Sequence, residues 1–149
     1  MSLQDPSSTT KVVLATIPKN YADTDPTGAE VIAVDTEGFR FARFDIVTGT
    51  ITGGTTWTAT CQQSSDNAAA DAYANIESSP TAKTQVSFAD ANDSVVKSFV
   101  IDCTATERYL KLLWANTGTW SASNLSATCT LFNPQDTEYL GTEVGGFYP

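Results

Sequence analysis

The sequence predicts an all-β protein: an antiparallel β-sandwich, jelly-roll-like, with extended N- and C-terminal arms. Three observations carry that reading. Apolar and polar residues alternate with period two in several short runs, as strands with one buried face require. Turn residues interrupt those runs about every ten positions, with no long helical period between them. Charged residues make up only 17% of the 149, where about 25% is usual, and threonine, serine and alanine fill much of the deficit. Threonine is β-branched and tolerates water, so it suits a strand with a wet face.

In chain order, residues 1–29 are polar and interrupted by Pro6, Pro18 and Pro26, with one apolar island at Val12, Val13 and Leu14. That island is too small for a core, so the segment reads as an extended arm whose short strand docks on its own domain or on a neighbour. Residues 30–35, EVIAVD, have strand length. Residues 39–63 then read as a hairpin folded at Gly53-Gly54, because a two-residue type I′ turn needs positive φ at both positions. In that register Phe44, Ile46, Trp57, Ala59 and Cys61 face inward, and Asp45, Thr56, Thr58, Thr60 and Gln62 face outward, with Val47 and Ile51 as exceptions. Phe39 and Phe41 have the opposite parity to Phe44 and Ile46, which places a β-bulge near Ala42-Arg43.

Residues 64–80 carry turn chemistry and an alanine-rich stretch, read as a surface loop with a short helical turn over 68–74. Strands follow at 84–88 and 95–103, where Val96 and Val100 share a face with Ser98 and Asp102. The next, over 108–115, has Leu110, Leu112 and Trp114 on its inner face. Residues 116–124 read as a loop exposing Trp120. The last strand, 125–132, sets Leu125, Ala127, Cys129 and Leu131 inward. The domain therefore spans 30–132, and 133–149 is a C-terminal tail without strand period.

The 17 acidic residues against 8 basic ones give a net charge of −9. Phosphate backbones are repelled by that balance, and no basic run offsets it, so nucleic acid is not an expected partner. No apolar run approaches the roughly 20 residues that span a bilayer, so no membrane partner is expected either. The N-terminus lacks a charged and an apolar leader region, and Cys61, Cys103 and Cys129 are an odd number without CxxC spacing. The expectation is a chain kept in a reducing cytosol with three buried thiols.

Histidine is absent, which removes Ser-His-Asp and Cys-His catalysis and makes a zinc site unexpected. The acidic pairs Asp23/Asp25, Asp35/Glu37 and Asp90/Asp93 sit in turn-like segments, where carboxylates accept from nearby backbone N–H groups, and they lack calcium-loop spacing. Neither enzyme activity nor a cofactor is expected. Trp57 and Trp114 fall on inner faces, which leaves Trp120 as the loop tryptophan able to contact a ligand such as a sugar. The surplus apolar residues of the arms, Val12, Val13, Leu14, Ile17, Tyr139, Phe147 and Tyr148, have no place in the sandwich and point to a partner. On this reading, removing residues 1–20 leaves the melting temperature nearly unchanged.

Two stretches, ITGGTTWTATCQQSSDN and RYLKLLWANTGTWSASNLSATCTLFNP, together resemble tailed-bacteriophage head proteins of the decoration or cement type. Gln63 to Asn67 hold the place of the polar turn after a strand, and Arg108 to Leu112 that of the Arg-Tyr strand before the closing one. The resemblance covers residues 39–132 and departs in the alanine-rich loop after Asn67. It implies a β-sandwich without catalytic residues, made in the bacterial cytoplasm. It also implies binding as a homodimer or homotrimer to the major capsid protein on the outside of the head, bridging capsomers, with arms reaching adjacent subunits. The alternatives are a carbohydrate-binding module using Trp120 and a tail or baseplate component.

Overall fold

The computed structural model describes residues 10–89 and 92–134. Nine strands are formed among the described residues: β1 (Thr10–Asn20), β2 (Val34–Asp35), β3 (Phe39–Gly53), β4 (Thr56–Ser64), β5 (Ala74–Asn75), β6 (Gln85–Phe88), β7 (Val96–Asp102), β8 (Tyr109–Thr117) and β9 (Trp120–Pro134). They make two antiparallel sheets. The first has the order β1-β9-β3-β7. In the second, β2, β8 and β4 are neighbours, and β5 and β6 share the other edge of β4. The β-sandwich the sequence predicts is the observed architecture.

The inner faces follow the period of two. Phe44 and Ile46 of β3, Trp57, Ala59 and Cys61 of β4, Leu110, Leu112 and Trp114 of β8, and Leu125, Ala127, Cys129 and Leu131 of β9 all lie in one buried core. Two indole groups fasten the sheets together. Trp57 Nε1 donates to Ser123 Oγ at 2.9 Å, and Trp114 Nε1 donates to Thr16 Oγ1 at 3.0 Å. Each removes the cost of burying an indole N–H without a partner.

Several expectations are corrected. β3 and β4 do not form a hairpin: β3 pairs with β9 and β7, β4 pairs with β8, and Gly53-Gly54 carries the chain from one sheet to the other. The register of β3 against β9 runs unbroken through Ala42 and Arg43 and shifts between Thr48 and Ile51. That shift explains Ile51, which is buried despite its parity. Phe41 points outward and stacks on Phe132 with centroids 5.4 Å apart, so its parity needs no bulge.

Of the N-terminal segment, residues 10–29 are described, and they belong to the sandwich: β1 docks on its own domain, lying along β9 from Thr10 to Asn20 and burying Ala15 and Thr16. Tyr21 is buried beyond it, its N–H donating to the Ser123 carbonyl at 2.9 Å. Of residues 30–35, only Val34–Asp35 are strand. Over 68–74 the chain makes turns and no helix, because Asn67 and Ala68 take φ of 59° and 64° and Asp66 accepts from the N–H groups of Ala69, Ala70 and Asp71. Residues 116–124 are not an open loop, since β8 runs to Thr117 and β9 starts at Trp120.

Candidate interaction surface

The outer face of the four-stranded sheet is built from residues directly opposite one another. Val12 of β1 pairs with Thr130 of β9, and Leu14 with Thr128. Thr130 pairs with Arg43 of β3, Thr128 with Asp45, and Ser126 with Val47. On the far side Arg43 pairs with Val100 of β7, Asp45 with Ser98, and Val47 with Val96. Side chains opposite in an antiparallel pair share a face, and the alternate residues of these strands, Cys129, Phe44 and Phe99 among them, are in the core.

Eight large aliphatic side chains are exposed among the described residues, and five of them stand on this one face: Val12 at 66%, Val96 at 60%, and Val100, Val47 and Leu14. The other three are Ile17 and Ile32, beside the Thr16–Val31 bridge, and Leu113 on the opposite sheet. Scattered exposed apolar residues are ordinary, but their convergence on one uncovered face is not. The β9 column between them carries the short side chains Thr130, Thr128 and Ser126. One ion pair interrupts the face: Arg43 Nε donates to Asp45 Oδ1 at 2.9 Å, and the Ser98 hydroxyl donates to the same oxygen. At the margin Asp102 is held below the usual carboxylate range by the Thr104 hydroxyl and then by the Thr104 N–H, with Arg40 nearby.

The structure divides the residues expected to bind a partner. Val12 and Leu14 lie on this face, Ile17 is exposed farther along β1, and Val13 turns inward against the core. Tyr139, Phe147 and Tyr148 lie outside the described residues. Trp120 is not a surface group. It is 2% exposed, packs on Trp57 with ring centroids 6.0 Å apart, and donates through Nε1 to the Thr117 carbonyl. A sugar-binding reading that depends on Trp120 therefore loses its residue. The sequence reading missed Val47, Val96 and Val100 as surface-forming residues, although it made Val47 an apolar exception on a wet face and set Val96 and Val100 beside Ser98 and Asp102.

The acidic pairs are structural ties. Asp23 Oδ1 accepts from Trp120 N at 3.0 Å, Asp25 Oδ1 from Asn116 Nδ2 at 2.8 Å, and Asp93 Oδ1 from Ile51 N at 2.7 Å. Arg108 reaches both Asp35 and Glu37, at 2.7 and 2.6 Å, and the Arg108 guanidinium holds the Asp35 carboxyl below its ordinary range. Asp90 lies outside the described residues. No three His, Cys, Asp or Glu side chains converge as metal ligands among the described residues. No protein-family model matches the chain, and no curated protein matches it.

Proposed function

We propose that this chain is a structural, non-enzymatic protein of a tailed-phage head, of the decoration or cement type. In this reading it binds the outside of the capsid as a homo-oligomer and stabilises the shell by bridging capsomers through the major capsid protein. The observation that carries a binding role is the outer face of the four-stranded sheet, where five exposed aliphatic side chains surround one ion pair. An uncovered face of that kind suits a protein surface better than a small ligand, which takes a concave site. The capsid as the setting rests on the resemblance over residues 39–132, and the net charge of −9 suits a position away from packaged DNA.

The mechanism is multivalent. Each weak contact raises the effective concentration of the next, so an oligomer matched to a symmetry axis holds far better than one subunit. Immunogold electron microscopy of the virions that carry the protein tests the reading. Gold on the outer surface of the head supports it. Gold confined to the tail, or label that appears only after the head is opened, refutes it.

A further inference from the structure

We propose that the outer face of the four-stranded sheet takes a second copy of this chain, packed face to face about a two-fold axis that crosses the strands between Arg43 and Asp45. This deepens the reading above, which calls for a homo-oligomer, by naming the surface that makes it.

Charge leaves this face open to a second copy. At a net charge of −9, two copies repel over most approaches. On this face the central charges are one cation and one anion, Arg43 and Asp45, 2.9 Å apart. At the margin Asp102 has Arg40 beside it at 3.9 Å, so two copies meeting here bring no excess of like charge together.

The pattern is also self-complementary. Neighbouring rows across the sheet read Val12, Thr130, Arg43, Val100 and then Leu14, Thr128, Asp45, Ser98. A half-turn about an axis lying across the strands between those rows lays each on the other. Arg43 then stands over the partner's Asp45, threonine meets threonine, valine meets leucine, and on β7 Val100 meets Ser98. Reciprocity of this kind is what an isologous contact requires. Packed sheets stand about 10 Å apart with their strands within about 30° of alignment, a gap that an arginine side chain spans toward a facing aspartate.

The face is small. Four strands about 4.8 Å apart and about seven residues long, at about 3.3 Å each, give a flat footprint of about 440 Å². That is below the roughly 800 Å² per partner of a standard interface. A contact of less than standard size is expected to be weak, so the dimer is reversible and concentration-dependent, and a lattice that holds two copies side by side strengthens it.

Sedimentation velocity of the full chain from about 1 µM to about 1 mM tests this. The expected result is a monomer–dimer equilibrium that Arg43→Asp weakens at least about tenfold, since four carboxylates then face one another. Combining Arg43→Asp with Asp45→Arg should restore it to within about threefold. Thermal melts confirm that each variant is folded. Should Arg43→Asp fail to fold, Val12→Asp, at a position 66% exposed on the edge strand, must weaken the dimer instead. A monomer at every concentration overturns the inference. So does a dimer indifferent to both Arg43→Asp and Val12→Asp, or a trimer, whose copies each use two different surfaces. Dimerisation through this face in a protein that labels no phage head leaves the inference standing and sinks the head assignment. A head decorated by a chain that stays monomeric does the reverse.

Discussion

The indole N–H of Trp114 donates to the hydroxyl of Thr16 at 3.0 Å, and the bond joins the edge strand of one sheet to the centre of the other. Both side chains are buried. Thr16→Val keeps the shape and removes the acceptor, leaving an indole N–H unpaired in the core, which should cost about 1–3 kcal/mol. In a Trp114→Phe background the same change should cost much less. A double-mutant cycle from urea denaturation measures the difference, and additive costs would show that the bond carries no coupling.

Removal of residues 1–20 should now be severe. It strips β9 of its β1 partner from Thr10 to Asn20, takes Ala15 and Thr16 out of the core, and uncovers the Trp114 indole. Losing several kcal/mol from a domain held by about 5–15 should lower the melting temperature by well over 10 °C or abolish folding. A melt within a few degrees of the full chain would mean that β1 does not pair as described.

Inner-face residues were legible because a period of two reports burial directly. Trp57, Cys61, Leu112, Trp114, Cys129 and Leu131 all face the core as their parity demands. Strand partners were not legible, because pairing is decided by contacts far apart in sequence. β9 lies between β1 and β3, and nothing local to residues 120–134 announces either. Gly53-Gly54 carries the same local signal whether the chain turns back in one sheet or crosses to the other. Trp120 misled for a related reason: beside Gly118, it reads as loop until Trp57 and Gly54 are seen to enclose it. On the outer face of the four-stranded sheet, Val47 was visible as an exception, and Val96 and Val100 as neighbours of Ser98 and Asp102. Only the β3–β7 register brings them together.

Three free thiols should separate by reactivity. Cys61 and Cys129 are buried, while Cys103 is part-exposed. Burial pushes all three up: Cys61 and Cys129 strongly, and Cys103 to about 11 despite the opposing bond from Thr36. Since the thiolate is the reactive form, a disulfide reagent at pH 8 should titrate Cys103 slowly, and faster as pH rises toward 11. Cys61 and Cys129 should react only after unfolding in urea. Rapid native labelling of Cys61 would mean that β4 is flipped. The folded state also holds these protons more tightly than the unfolded chain. Stability should therefore be unaffected below about pH 8.5, where thiols are protonated in both states, and should fall as pH rises from there through about 11.

Gly53-Gly54 carries the chain between the sheets under a buried indole. Gly53 and Gly54 have φ of +86° and +63°, and a Cβ added at Gly54 would lie 2.1 Å from Trp120 Cε2. The β8–β9 turn presses on the same place, because a Cβ on Gly118 would come 2.7 Å from the Gly54 Cα. Gly54→Ala thus meets two costs: left-handed strain of roughly 1–2 kcal/mol, and overpacking against a buried indole of typically 1–3 kcal/mol. Gly28 separates them. Its φ is +55°, and nothing lies within 4 Å of its added Cβ, so Gly28→Ala should incur the strain alone. Urea unfolding should place Gly54→Ala about 1–3 kcal/mol below Gly28→Ala. Equal costs would mean that Trp120 does not pack over Gly54, and the two crossings would then not be interlocked as described.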